Sequence, residues 1–223
     1  MANHFDSELA ALKEKLLLMA SHAEAAVNRA IKALLKRDDD LARRTEEDDE
    51  ILDRLEIEID EAAIKLLEQT PSGVNLRLIT VAMKISNNLE RVGDEATTIS
   101  RRVIDLSQEP PLRQQVDLPR MAGQALEMLE EALDAFVHCA PAKARSIIPK
   151  DDEVDALNKR LHTELTRGMA AEPETITRCL NLMVISKSLE RIADHATNIA
   201  EEAVYLYEGR DIRHAGEKGV SVE

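Results

Sequence analysis

Apolar residues recur every three or four positions along most of the chain, which is the spacing of one face of an α-helix. The first such segment follows Asp6, which can cap a helix, and it ends near Arg37. The second ends near Gln69, before a Thr-Pro-Ser-Gly turn, and the third stops before Pro110. The pattern of this half of the chain predicts three helices joined by short turns.

Three further helical segments follow in the second half of the chain. The fourth begins near Asp117 and ends by Pro141, and the sixth ends near Gly209. The fifth contains Pro149, which either kinks this helix or marks a restart at its first turn. Because no segment alternates with the period of two that is typical of a strand, the pattern predicts an all-α protein.

One stretch of the chain occurs twice, as residues 83–99 and, one hundred positions later, as residues 183–199. Ten of its seventeen positions are identical, and a repeat of this kind indicates equivalent structural units. The copies lie in the third and sixth helical segments, so we predict two tandem, pseudo-equivalent antiparallel three-helix bundles. The predicted divisions are an N-terminal bundle over 1–108, a linker over 109–117, a C-terminal bundle over 118–208 and a tail over 209–223.

The composition limits what the chain can bind and where it can work. Its net charge of −14 and the lack of a basic patch argue against nucleic acid as a direct ligand. No apolar run approaches the roughly 20 residues that cross a bilayer, and the first residues do not resemble a signal peptide. Cys139 and Cys179 are isolated in the sequence, as thiols in a reducing compartment are. We expect a soluble cytoplasmic protein that attracts cations or basic surfaces.

Acidic residues spaced four apart lie in the second, third, fifth and sixth helical segments, and this spacing puts both members of a pair on one helix face. When a helical hairpin folds, residues at equal distances from its turn come to the same height. The acidic pairs of the first half are equally distant from a point between Pro71 and Ser72, and those of the second half from a point between Glu172 and Pro173. Each half should therefore gather four carboxylates: Asp49, Asp53, Glu90 and Asp94 in the first, and Asp151, Asp155, Glu190 and Asp194 in the second.

Four negative charges at one level repel each other by about 1 kcal/mol or more per pair, so each cluster needs protons or a cation. Oxygen ligands without cysteine suit hard ions such as Mg²⁺, Ca²⁺, Mn²⁺ or iron. One alternative is that the charges form a solvated helix face, and another is that Arg91 and Arg191 neutralise them. Asp151 has a further alternative, because a helix that restarts at Pro149 places it at the positive end of the helix dipole.

The sequence contains no further motif with a catalytic meaning. It has no Gly-rich phosphate loop, and no histidine has the glutamate three residues before it that a di-iron bundle requires. His162 could extend the second cluster, although an ordinary surface role is expected, and His195 points away from Asp194. We expect no catalytic residue and no organic cofactor.

The doubled Leu-Glu-Arg-x-x-Asp motif at 89–94 and 189–194 resembles the PhoU family, and so does the Gly-Arg-Asp-Ile-Arg-His sequence at 209–214. The likeness covers nearly the whole chain and implies two similar three-helix bundles. It also implies divalent or trivalent metal ions (iron, zinc, manganese, magnesium or calcium), clustered in several members, on the eight carboxylates named above. Pro149, just before Asp151, departs from the family pattern.

The same resemblance implies a cytoplasmic regulator that dampens the phosphate-starvation response and phosphate uptake. The partners it implies are a sensor histidine kinase and the ATPase of the phosphate ABC transporter, and we expect a homodimer. The leading hypothesis is therefore a regulatory adaptor that is not an enzyme. The alternative is a metal-storage bundle or a metal-dependent hydrolase that uses the same carboxylates. An enzyme would need a pocket with a distinct nucleophile or base, and the sequence indicates neither.

Overall fold

The computed structural model describes residues 2–112 and 117–213, and all regular structure within them is helical. Two short 3₁₀ turns, Ile148–Lys150 and Pro173–Thr175, adjoin the α-helices. None of the described helices is both long and apolar enough to cross a membrane. The α-helices are α1 (Ala2–Lys36), α2 (Asp39–Glu47), α3 (Asp49–Leu67), α4 (Gly73–Ser107), α5 (Leu118–Val137), α6 (Pro141–Ile147), α7 (Asp151–Ala171) and α8 (Ile176–Glu208).

The helices form two similar bundles, which confirms the predicted fold class. In the first bundle α1 packs against α2, α3 and α4, and in the second α5 packs against α6, α7 and α8. The bundles join mainly through α4 and α8, with a smaller contact between α1 and α5. The linker at 109–117 and the tail over 209–223 remain predictions, because residues 113–116 and 214–223 lie outside the described part of the chain.

Each bundle has an interruption in the segment predicted as its middle helix. The prediction of one continuous helix up to Gln69 is wrong, because α2 ends at Glu47 and α3 begins at Asp49. In the second bundle the predicted restart is confirmed, since Pro149 lies in a 3₁₀ turn and α7 begins at Asp151. The two interruptions occupy equivalent places, so the break itself, which only the second bundle marks with a proline, is shared by the two bundles.

An aliphatic core runs through both bundles. Leu89 and Leu189, which are equivalent in the two repeat copies, are both fully buried, and so are Ile85 and Ile185. Burying one such side chain contributes about 2 kcal/mol through the hydrophobic effect. The matching environments follow from the repeat, because the same stripe of α4 and of α8 faces the inside of its bundle.

Helices α3 and α4 approach each other closely at Gly93. A Cβ atom at this position would stand 2.3 Å from Leu52 Cδ1 and 3.4 Å from Asp49 Oδ1, so a larger residue would require Leu52 to move. Ala193 and Val154 occupy the equivalent positions of the second bundle, and both are fully buried. The added methyl group on one helix is therefore matched by a smaller side chain on the other.

Polar side chains join α4 to α8 where the bundles meet. Arg191 Nη1 lies 3.0 Å from Glu95 Oε1, and His195 Nδ1 lies 2.9 Å from Asn88 Oδ1. Positions 95 and 195 are equivalent in the repeat, as are positions 91 and 191. Arg191 therefore faces a carboxylate, Glu95, whereas Arg91 faces a histidine, His195. A symmetric contact would form an ion pair at both places, and here only the Arg191–Glu95 pair of the two is formed.

The starts of α2 and α6 differ in whether a side chain caps the helix. Asp38 caps this helix, since its side chain accepts a hydrogen bond from the Leu41 backbone N–H at 3.1 Å. The equivalent Ala140 has a similar backbone conformation before α6 but cannot cap it. We expect Asp38→Ala to lower the free energy of unfolding by about 1 kcal/mol and Ala140→Asp to raise it, as measured by urea titration. Equal changes of the same sign in both variants would contradict the capping argument.

Candidate metal-binding clusters

The first acidic cluster consists of Asp49, Asp53, Glu90 and Asp94. Asp49 is the first residue of α3 and Asp53 follows one turn later, while the other two lie one turn apart on α4. The close approach at Gly93 brings the start of α3 onto this part of α4. The charges of Asp53 and Asp94 raise the pKa of Asp49, and the same two charges raise the pKa of Glu90. The hairpin therefore brings the four predicted residues into one electrostatic neighbourhood.

Burial and mutual repulsion make ionisation costly in this cluster. Burial, and then the charge of Asp94, raise the pKa of Glu90 to about 7, against the opposing effect of Arg91. Burial, followed by the charge of Asp53, also raises the pKa of Asp49. Glu90 Oε2 is buried and accepts no hydrogen bond from the described residues, although Arg91 Nε lies 3.2 Å away. A buried carboxylate oxygen without a hydrogen-bond donor is the kind of atom that a cation can satisfy.

The second acidic cluster consists of Asp151, Asp155, Glu190 and Asp194, on α7 and α8. Burial, and then the charges of Asp194 and Asp155, raise the pKa of Asp151 to about 6. Burial and the neighbouring Glu190 raise the pKa of Asp194 as well. Asp151 Oδ1 is buried and has no hydrogen-bond partner among the described residues. Because Asp151 is the first residue of α7, it also lies at the positive end of that helix dipole, as the alternative interpretation expected.

The clusters differ in where their cationic neighbours point. In the first cluster Arg91 stays with its own carboxylates, since its Nη1 atom lies 3.1 Å from Asp94 Oδ2. In the second, Arg191 turns away to Glu95 across the interface, and Lys187 pairs with Glu190. Arg91 thus offsets part of the charge of the first cluster without preventing the rise in the pKa of Glu90, and in the second cluster Lys187 and Arg191 partly oppose the rise in the pKa of Asp194.

The carboxylates are neighbours without forming a finished coordination site. Over residues 2–112 and 117–213, no group of three or more His, Cys, Asp or Glu side chains is arranged to hold one metal ion. The eight-residue metal assignment therefore stays a prediction. Binding an ion would require the carboxylates of a cluster to draw closer together.

Sequence reasoning missed two threonines near the clusters. The hydroxyl of Thr97 lies beside Asp49 and partly opposes the rise in its pKa. Its equivalent, Thr197, lines a surface groove of about 590 Å³ together with Asp151. The signal was present, because both threonines belong to the repeat and lie three residues after the last carboxylate of each motif.

The two histidines considered as ligands lie outside both clusters. His162 is half-buried, and its Nε2 atom lies 3.1 Å from the hydroxyl of Ser186, which donates a hydrogen bond to Asn158. His195 is occupied at the interface between the bundles, where burial lowers its pKa. Both are therefore engaged in contacts that hold helices together.

Comparisons with known proteins agree with this architecture. The family model described as "PhoU domain" matches residues 16–103 and 118–203, one match in each bundle. The phosphate-specific transport system accessory protein PhoU homolog of Pseudomonas aeruginosa is 38% identical over 218 residues, which cover 97% of this chain and 90% of that protein. The homolog from Pseudomonas putida is 37% identical over 225 residues, covering 100% of this chain and 88% of the relative.

Solved structures show the same likeness. The crystal structure of PhoU from Pseudomonas aeruginosa superposes with a TM-score of 0.90 at 38% identity, covering 92% of this chain and 100% of that one. The phosphate transport system regulatory protein PhoU from Streptococcus pneumoniae superposes with a TM-score of 0.84 at 29% identity, covering 93% of this chain and 99% of that one.

Proposed function

Because the chain belongs to the PhoU family, we propose that it is a cytoplasmic regulator attached to a phosphate-specific transport system and that it works by binding, without catalysis. Its relatives carry the name of a phosphate-specific transport system accessory protein, and the solved neighbour from Streptococcus pneumoniae is described as a regulatory protein. The observation that carries the proposal is the convergence of four carboxylates in each of two equivalent bundles.

The two acidic clusters are the proposed metal sites. Their carboxylates lie on paired helices, resist ionisation and include buried oxygens without donors, at Glu90 and Asp151. A bound divalent or trivalent ion would supply positive charge between the helices, and hard oxygen ligands suit magnesium, calcium, manganese or iron. In this function the carboxylates hold the ion, and the ion fixes the positions of α3 against α4 and of α7 against α8.

The proposed partners are a sensor histidine kinase and the ATPase of the phosphate ABC transporter, with the regulator itself as a homodimer. The family resemblance and the relatives' names support this assignment. In this mechanism, the ion-dependent placement of helices determines the surface that the partners recognise. Loss of that surface when the ion leaves would release the partners, and the dampening of the phosphate-starvation response would therefore depend on metal.

We expect Glu90→Ala combined with Glu190→Ala to remove most of the bound metal while leaving the helical content and cooperative unfolding unchanged. Each substitution removes a ligand and relieves repulsion at the rim of the core, so the aliphatic stripes stay packed. The measurement is elemental analysis of protein purified without chelator, beside circular dichroism. The matched control is Glu14→Ala with Glu164→Ala, which changes two exposed glutamates outside the clusters. Unchanged metal content in the cluster variant would refute the assignment.

The same variants test what the metal does. In a pull-down with the sensor kinase and the transporter ATPase, partner binding should fall together with metal content. Full partner binding after complete loss of metal would limit the ions to storage. Multiple turnover of a phosphate ester that disappears in the Glu90 variant would instead establish a metal-dependent hydrolase.

A further inference from the structure

Two threonines of the internal repeat have hydroxyl groups that are buried and without a partner. Thr97 is 3% exposed and Thr197 is half-buried, and the side-chain oxygen of each forms no hydrogen bond with the described residues. A buried hydroxyl that forms no hydrogen bond costs stability, so native proteins rarely contain one without a reason. The two positions are equivalent in the repeat, and both halves of the chain therefore retain the same unsatisfied group.

A threonine inside a helix can satisfy its hydroxyl by donating to a backbone carbonyl of the preceding turn. The described helices show this bond, to the carbonyl oxygen four residues earlier, at Thr45, Thr80, Thr163 and Thr166. Thr97 and Thr197 do not form it, although they lie inside the long helices α4 and α8. Their hydroxyls are therefore available to a group outside their own helix.

In the first bundle the threonine lies on the helix face that carries the acidic cluster. Glu90, Asp94 and Thr97 are spaced four and three residues apart, so they lie along one face of α4 over two turns. Across the hairpin, the Thr97 hydroxyl is close enough to Asp49 to oppose part of the rise in the pKa of that carboxyl, yet the two groups do not reach hydrogen-bond geometry. The hydroxyl oxygen is therefore aimed into the cluster without being used there.

The second bundle repeats the arrangement beside a surface groove. Thr197 follows Glu190 and Asp194 on α8 at the same spacing, and it lines a groove of about 590 Å³ together with Asp151. Asp151 is the counterpart of Asp49, so each threonine lies near the first carboxylate of the facing helix. The same hydroxyl therefore accompanies the same acidic residues in both clusters.

A hydroxyl oxygen in an acidic cluster suits a hard ion that takes many oxygen ligands. Mg²⁺ and Mn²⁺ take about six, so four carboxylates leave room for a neutral oxygen, and a Ser or Thr hydroxyl binds Mg²⁺ in P-loop proteins. Zn²⁺ takes about four ligands, from thiolates, imidazoles or carboxylates. A hydroxyl also adds no negative charge to a cluster whose carboxylates already repel each other.

We propose that the hydroxyls of Thr97 and Thr197 are ligands of the ions in the first and second clusters, and that they contribute to the affinity for six-coordinate ions such as Mn²⁺ far more than to that for Zn²⁺. The assignment rests on the proposed metal-binding function and adds one neutral oxygen to the four carboxylates of each cluster. The hydroxyl keeps its proton and acts through a lone pair of its oxygen. A bound ion gives this oxygen the partner that it lacks among the described residues.

The test combines Thr97→Val with Thr197→Val, because valine has nearly the shape of threonine and lacks only the hydroxyl. The dissociation constant for Mn²⁺, measured from the electron paramagnetic resonance signal of the free ion, should rise about tenfold relative to the parent chain. The dissociation constant for Zn²⁺, measured by competition with a chromogenic chelator, should change by less than about twofold. Thr97→Ser with Thr197→Ser retains both hydroxyls and should keep the affinity for Mn²⁺ within about twofold of the parent.

The metal-free protein distinguishes a ligand from a group that holds the fold together. Without metal, the double valine variant should unfold at the same urea concentration as the parent or a higher one, because it removes buried hydroxyls that have no partner. Thr80→Val is the matched control, since Thr80 lies on α4 and its hydroxyl is bonded to the carbonyl oxygens of Leu76 and Arg77. It should leave the affinities for both ions unchanged.

The possible failures of the ligand assignment and of the metal function give different results. If the parent binds Mn²⁺ and the double valine variant binds it equally well, the ligand assignment is overturned and the proposed metal function stands. Equal weakening for Mn²⁺ and Zn²⁺ would also overturn the assignment, since a loss of local structure affects every ion alike. A parent chain that binds neither ion would overturn the proposed metal function and the ligand assignment with it.

Discussion

Replacing Glu90 by glutamine in the metal-free protein should raise the free energy of unfolding by about 2 kcal/mol at pH 8 and leave it nearly unchanged at pH 4. The pKa of Glu90 in the folded chain is about 7, above the ordinary value of 4.5, so the folded state holds this proton more tightly than the unfolded state does. Below pH 4.5 both states are protonated and no penalty exists. The penalty grows between pH 4.5 and about 7, and above that range it is complete.

Glutamine carries no charge at any of these pH values, so it removes the penalty only where Glu90 is ionised. The measurement is urea unfolding in the presence of a chelator at the two pH values. Glu14→Gln, at an exposed position, is the control and should show no such pH dependence. In saturating metal the sign should reverse, because the ion binds the folded state through this carboxylate and stabilises it. An equal gain with and without metal would contradict a ligand role for Glu90.

Gly93→Ala should lower the free energy of unfolding by about 2 kcal/mol. The new Cβ would lie 2.3 Å from Leu52 Cδ1, and overpacking of this kind costs about 3 kcal/mol, from which the better helix propensity of alanine recovers about 1. Adding Leu52→Val should recover most of the loss, since that pair reproduces Val154 and Ala193 of the second bundle.

A double-mutant cycle of urea unfolding measures the coupling between the two substitutions. The control is Ala193→Gly in the second bundle, where no clash is relieved and both helix propensity and a buried methyl group are lost, at about 2 kcal/mol in all. Additive effects of Gly93→Ala and Leu52→Val would show that the two helices are not in contact at this point. Because Asp49 Oδ1 also lies near this position, metal content should change with Gly93→Ala and return in the double variant.

Much of the architecture could be predicted because the sequence encodes it locally and encodes it twice. Helical spacing of apolar residues, proline-marked turns and the repeat together indicated two bundles. The positions of the acidic pairs relative to the turns predicted which carboxylates face each other, and Asp49 and Asp94 do share one neighbourhood. The geometry of coordination could not be predicted, because it depends on rotamers and on the ion itself.

The break at Asp48 illustrates the limit of local signals. The residues around it, Glu-Glu-Asp-Asp-Glu at 46–50, contain neither proline nor glycine, whereas the equivalent break in the second bundle is marked by Pro149. In the first bundle α2 and α3 each pack against α1 and α4, and such tertiary contacts are not visible in the helix propensity of the residues at the break. Equivalence between the halves was the available clue, since a break after one proline predicts a break at the matching position.

The contacts between bundles were also beyond prediction from the sequence, because a repeat defines each half without defining how the halves meet. The pairing of Arg191 with Glu95 is one such contact. It depends on the register between α4 and α8, and no turn of known length links these helices. The linker between the two halves, from α4 to α5, includes residues 113–116, which lie outside the described structure.

The one-sided ion pair between Arg191 and Glu95 has an evolutionary consequence. A dimer of two identical bundles related by a two-fold axis must make every cross-interface pair twice, because each copy presents the same surface to the other. Once two such units are fused in one chain, a substitution in one unit no longer alters the other. Position 95 retains an acid that meets Arg191, and position 195 carries a histidine bonded to Asn88. Duplication thus released each unit from self-complementarity, and the two halves could diverge into distinct surfaces on a common scaffold.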